Sequence, residues 1–100
     1  MTIQTQDSGI TVTLRVEGEI DHAGAEALKT VFNQLALGGK TEVVFDFQKV
    51  SYVGSAGLGK LLLFYKRLSS GKIQMRVQSP PPSVRELLKE LKMDTLFTVS

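Results

Sequence analysis

Apolar and polar positions along this chain follow two periods, and the switches between them outline a fold. Ile10, Val12, Leu14 and Val16 are apolar, and Thr11, Thr13, Arg15 and Glu17 alternate with them. A period of two with β-branched residues predicts a strand that buries one face. Thr2 to Gln6 predicts a short edge strand before it, and Asp7-Ser8-Gly9 a turn that makes the two a hairpin. The period then lengthens. Leu28, Val31, Phe32 and Leu35 recur at helical spacing, so a helix is expected over Ala25 to Leu37, with Asp21 as N-cap and Gly38-Gly39 as its stop.

The second half repeats the alternation of elements. Val43-Val44-Phe45-Asp46-Phe47 is nearly continuous apolar sequence, expected for a central strand covered on both faces. Leu58, Leu61, Leu62, Tyr65 and Leu68 form a helical face ending at Ser69-Ser70-Gly71, and Leu63 and Phe64 widen its apolar arc toward either core or interface. Ile73, Met75 and Val77 predict another strand, and Ser79-Pro80-Pro81-Pro82 a stiff loop. Ser83 to Glu86 has the form of a capping box for a third helix carrying Val84, Leu87, Leu88 and Leu91. Leu96 to Val99 predicts a last short edge strand. The order β-β-α-β-α-β-α-β implies one α/β domain over residues 1–100, with mostly parallel strands and an antiparallel first strand.

Composition narrows the function classes. Apolar residues make up 42% and charged residues 22% of 100 residues, ordinary for a soluble domain with one core. Twelve Lys+Arg against ten Asp+Glu leave a net charge of +2, too small to imply direct nucleic-acid binding. There is no cysteine, hence no disulfide, thiolate nucleophile or zinc-thiolate site, as fits a reducing cytoplasm. The first residues show no basic and apolar leader pattern, and the apolar run Leu61 to Tyr65 is far short of the roughly 20 residues a membrane span needs. A soluble intracellular protein without membrane insertion is expected.

Candidate chemistry concentrates on one edge. In open parallel sheets, sites gather where strands end and helices begin. Asp21, Asp46 and the turn from Ser51 to Ala56 are expected there, with Ser55 as N-cap of the second helix. A helix start suits an anion, and a phosphate on Ser55 would sit at the favourable dipole end while changing the charge a docked partner meets. A hydrolytic triad of Ser55, His22 and Asp21 or Asp46 can be written, but Val53-Gly54-Ser55-Ala56-Gly57 has its first glycine one place late for a nucleophile elbow. His22 reads more simply as an exposed residue in a helix's first turn. One histidine and scattered carboxylates supply no metal-ligand spacing, and no Walker-type phosphate loop is present. Lys60, Lys66, Arg67 and Lys72 read as a solvated face of the second helix. Neither catalytic residues nor metal nor cofactor is expected.

The string from Phe45 to Leu68 resembles the STAS domains of anti-sigma factor antagonists, the anti-anti-sigma factors of bacterial partner-switching systems. Phe45-Asp46-Phe47 is similar to that family's strand end, Val50-Ser51-Tyr52-Val53 to the loop after it, and Gly57-Leu58-Gly59 to its helix start. Gly18-Glu19-Ile20-Asp21 and Leu91 to Phe97 resemble its motifs elsewhere, so most of the chain is covered. The resemblance implies a STAS fold: a mixed, mostly parallel sheet of four to five strands with about three to four helices. It implies a binding module, not an enzyme, whose partner is an anti-sigma factor with a histidine-kinase-like ATPase fold. Asp21, Gly54, Ser55, Ala56, Gly57 and Leu58 would contact that partner. The chain departs from the motif at Gly54, where aspartate is usual, and at Ala56, where the phosphoacceptor serine or threonine is usual. Two variants stay open. In one, Ser55 is the acceptor and a PP2C-type phosphatase reverses the modification. In the other, binding is constitutive, as in a STAS subunit of a transporter or sensory complex.

Overall fold

The chain first reverses at Gly9, whose φ of +79° is easy only for glycine and closes a two-residue hairpin between Ser8 and Thr11. The turn therefore falls one residue later than the Asp7-Ser8-Gly9 pattern predicted. It leaves Ile10 exposed at the hairpin tip while Val12, Leu14 and Val16 point inward as expected. The computed structural model describes residues 1–100. After the hairpin strands β1 (Thr2–Ser8) and β2 (Thr11–Ile20) come α1 (His22–Asn33), β3 (Glu42–Val53), α2 (Ser55–Ser70), β4 (Gln74–Gln78), α3 (Pro82–Glu90), a 3₁₀ turn at Met93–Thr95 and β5 (Thr98–Val99). The sheet runs β1-β2-β3-β4-β5, with β1 antiparallel and every other pairing parallel. The expected α/β order and sheet are present.

The helices share one face of the sheet. Leu28 and Phe32 of α1, Leu61, Phe64 and Leu68 of α2, and Val84 and Leu88 of α3 form one buried cluster with Leu14, Val16, Phe45, Phe47 and Val77 of the strands. At its centre the Phe64 ring stacks on Phe32, with centroids 4.2 Å apart, and on Phe45 at 5.5 Å. Phe64 is thus core, not interface, and Leu63 beside it is half-buried. The other sheet face is polar. Arg15 pairs with Asp46 at 3.7 Å and Arg76 with Glu42 at 3.3 Å across neighbouring strands. Val44 is buried on that polar side, outside the helix-covered cluster. The expectation that β3 is covered by helices on both faces is corrected: β2 and β4 alternate, and their polar residues line the face no helix crosses.

Two local expectations also change. Helix α1 stops at Asn33, and Gln34 and Leu35 make tight bonds back to Val31 and Phe32, so Gly38-Gly39 is not its end. Leu35 and Leu37 still pack on the core from the connecting segment, which produced the longer helical pattern. Helix α3 begins at Pro82 with Pro81 as N-cap and no side-chain cap bond, so Ser83 lies inside the helix and no capping box forms. Proline's fixed φ and missing N–H suit a helix's first position.

Candidate functional site

The site is the junction where β3 becomes α2, and the shape of β3 places it. This strand continues to Val53, through residues the sequence pattern assigned to a loop. Its pairing with β2 slips twice, between Arg15 and Glu17 and between Gly18 and Glu19, each time with an extra residue on β3. Such bulges bend a strand and re-aim its side chains. Here they turn Phe47, Val50 and Val53 inward at intervals of three and leave Ser51 and Tyr52 exposed.

At the strand's end Ile20 faces Val53, and the Gly54 N–H donates to the Ile20 carbonyl at 3.0 Å. Gly54 is the N-cap of α2, and its carbonyl accepts the first helical bond from the Leu58 N–H at 3.0 Å. Ser55, expected as the cap, is instead the first helical residue and is exposed. No side chain caps this helix and its first turn holds no acidic residue, so its free N–H groups meet no protein anion. Ala56 is half-buried against the core, Gly57 is buried and Leu58 is half-buried. The one hydroxyl of the turn therefore faces solvent, while the next position faces inward.

Gly57 fixes how closely α2 meets β2. A Cβ there would lie 2.7 Å from Cγ2 of Ile20 and 3.0 Å from Cγ1 of Val53. Asp21 follows Ile20 directly, so the same strand end carries the start of α1. Its Oδ1 accepts from the Gly24 N–H at 2.8 Å, the N-cap role read from the sequence. Asp21 thus joins Gly54 to Leu58 on one edge through the Ile20–Val53 pair, with its carboxylate held by its own helix. The helices are also fastened by Lys60, 3.0 Å from Glu26, and by Arg67, which donates to Asn33. The hydrogen bond from Lys60 holds the Glu26 carboxyl below the usual carboxylate range.

Asp46 does not belong to this edge. It stands mid-strand opposite Arg15 and Gln78 on the polar face, paired with Arg15 and accepting from the Gln48 N–H at 3.1 Å. The triad written from Ser55, His22 and Asp21 is not assembled either, because the Asp21 carboxylate is turned to Gly24. No three of the chain's His, Asp and Glu side chains gather at metal-binding spacing. No helix is long and apolar enough to cross a membrane. Tyr52 is the residue the sequence reading passed over. It is 51% exposed, and its Oη would be 2.9 Å from a Cβ on Gly54, so the absent side chain of Gly54 leaves room for the ring over the turn. The available signal was an aromatic residue between the core valines Val50 and Val53, just before a helix start.

A one-sided α/β domain whose longest strand delivers a helix start without a side-chain cap to one edge is a recognisable class. The chain belongs to the STAS domain family, whose family model matches residues 2–100. It is 25% identical over 92 residues to a STAS-domain containing protein of Pseudomonas aeruginosa, covering 92% of this chain and 90% of that one. Its fold is similar to the crystal structure of an anti-sigma factor antagonist from Mycobacterium paratuberculosis, with a TM-score of 0.86, 26% identity, and 98% and 83% of the two chains covered. It is also similar to the phosphorylated form of the Bacillus cell fate determinant SpoIIAA, with a TM-score of 0.77, 21% identity, and 99% and 91% covered.

Proposed function

We propose that this protein is an anti-sigma factor antagonist of a bacterial partner-switching pathway, acting in the cytoplasm by binding an anti-sigma factor with a histidine-kinase-like ATPase fold. Asp21 and Gly54 to Leu58 supply the docking edge, and Ser55 is the residue the kinase modifies and a PP2C-type phosphatase restores. The observation that carries this reading is the exposed Ser55 hydroxyl at the first position of α2, above N–H groups that no acidic side chain satisfies. A phosphate there gains the favourable end of the helix dipole, so the fold tolerates it while the docked surface acquires about two negative charges. The Mycobacterium relative, described as an anti-sigma factor antagonist, supports the role, and the solved phosphorylated form of SpoIIAA supports a phosphate on this fold. The protein is a substrate in this reading, not an enzyme.

A second reading, constitutive binding within a transporter or sensory complex, is favoured by one observation only: position 56 is an alanine packed inward, with no hydroxyl to modify. Incubation with the anti-sigma kinase of the same organism and ATP, followed by mass-spectrometric mapping, separates the two. Phosphate on Ser55, with kinase capture lost in Ser55→Asp, is the expected result. Phosphate on another residue removes the Ser55 assignment, and capture without any phosphorylation supports the constitutive reading.

A further inference from the structure

The two edges of the sheet are finished differently. On one side β5 spans only Thr98–Val99, and its end is tied in by Ser100, whose N–H donates to Val77 and whose carbonyl accepts from Ser79 and Arg85. On the other side β1 runs seven residues, Thr2–Ser8, in unbroken register with β2 and without proline, lysine or bulge. Those are the devices that ordinarily blunt a free strand edge.

The pairing shows which groups that edge offers. In a two-residue hairpin the closing pair is hydrogen-bonded, and bonded pairs alternate with non-bonded ones. Ser8–Thr11, Gln6–Thr13, Gln4–Arg15 and Thr2–Glu17 are therefore the bonded pairs. The Ile10 carbonyl agrees, since it points the other way and accepts from Thr41 at the start of β3 at 2.7 Å. The N–H and C=O groups of Ile3, Thr5 and Asp7 are thus directed away from the molecule. The edge is also nearly neutral: Asp7 is the single charged residue of β1, and Lys40 sits on it at 2.7 Å.

The helix layer beneath is mostly apolar on this side. Helix α1 turns Glu26 and Asn33 toward α2, where they meet Lys60 and Arg67. Its opposite flank carries Ala23, Ala27 and Val31, and Met1, just before β1, shares a surface hollow with Ala23, Ala27, Glu19 and Asp21. The strand edge thus carries one charged residue, already paired, with the Glu19 and Asp21 carboxylates beside the helix flank at its Met1 end.

From this we infer that the β1 edge pairs with the β1 edge of a second copy of this chain, antiparallel about a two-fold axis at Thr5. Thr5 then meets Thr5 of the copy and Ile3 meets its Asp7, and two five-stranded sheets become continuous. A second copy fits because it brings an edge of the same length, equally neutral, with bonding groups in matching phase. The seam is about 24 Å long at roughly 3.4 Å per residue, so it falls among small interfaces and the dissociation constant lies in the range of about 10 μM to 1 mM. The β1 seam shares no residue with the Ser55 edge, although the hollow beside Met1 reaches Asp21, and its test does not depend on the proposed function.

Sedimentation equilibrium of the whole chain from about 10 μM to about 1 mM tests it. The expected result is a monomer at the low end and a dimer at the high end. Thr5→Pro deletes one outward N–H without touching the β1–β2 ladder, and should weaken the dimer at least tenfold with an unchanged circular dichroism spectrum. Thr5→Lys keeps every backbone group and sets two like charges against each other on the axis, so it gives the same loss if the proline variant fails to fold. A wild type that stays monomeric at the top of the range overturns the inference and leaves the edge to another chain or to none. A dimer that Thr5→Lys leaves intact also overturns it, by placing the contact elsewhere.

Discussion

Two glycines two residues apart in α2 do opposite work. Gly57 lies where the helix touches the end of β2, and a methyl group there would press on Ile20 and Val53 at 2.7 and 3.0 Å. Gly59 has nothing within 4 Å of the same imagined atom. Gly57→Ala should therefore lose about 1–3 kcal/mol of stability, because overpacking outweighs the gain in helix propensity. Gly59→Ala should gain about 0.5–1 kcal/mol. Urea midpoints moving in opposite directions would bear this out, and equal shifts would mean that the contact at Gly57 is not tight. Neither outcome could be read from the sequence, where Gly57-Leu58-Gly59 is a symmetrical pair. Ser55 shows the same limit: the sequence identified the hydroxyl at the helix start, but which residue caps the helix depended on where β3 ended.

At the level of elements, caps separate what the sequence made legible from what it hid. Asp21 follows a clear strand and precedes a clear helix, and it caps α1 as read. Ser55 and Ser83 match cap patterns as well, yet Gly54 and Pro81 hold those positions without any side-chain bond. Asp21→Ala should cost about 1 kcal/mol, whereas Ser55→Ala and Ser83→Ala should stay within about 0.5 kcal/mol. Thermal denaturation of the three variants checks the contrast; a loss at Ser55 as large as that at Asp21 would restore Ser55 as a cap. The hidden half of β3 has the same kind of cause. Period two is the signature of an even strand, and two bulges convert it to the three-residue spacing of Phe47, Val50 and Val53. A strand so modified reads as loop. The period of α2 was legible, but Leu62 and Phe64 exchanged roles because the rings of Phe32 and Phe45 select Phe64 for the core.

Across the whole molecule, ion pairs join segments distant in sequence, and two of them shift the carboxyl they hold. Lys40 bonds Asp7 at the hairpin tip and Lys60 bonds Glu26 between the helices, and each bond holds its carboxyl below the ordinary value. A carboxyl whose pKa is lower folded than unfolded stabilises the fold at pH above the unfolded value, and that share is lost as pH falls through the folded one. Thermal stability should accordingly be flat from neutral pH down to about 5 and decline below about 4.5, where carboxylates begin to take up protons. Lys40→Met together with Lys60→Met should make the decline shallower. A decline equally steep in the double variant would place its origin in other carboxylates.

The unequal lengths of the strands bear on how the Ser55 edge can respond. β4 pairs with β3 only as far as Asp46, opposite Gln78, so the remainder of β3 up to Val53 has a strand neighbour on one side alone. Local opening follows the number of contacts that must break together, and a strand end held from one side opens at lower cost than the sheet behind it. The helix start therefore rides on a stretch of β3 with fewer strand partners than Val43 to Asp46 have. The phosphate or docked protein of the proposed function would meet this one-sided end of β3, whereas the strand from Val43 to Asp46 is paired on both sides.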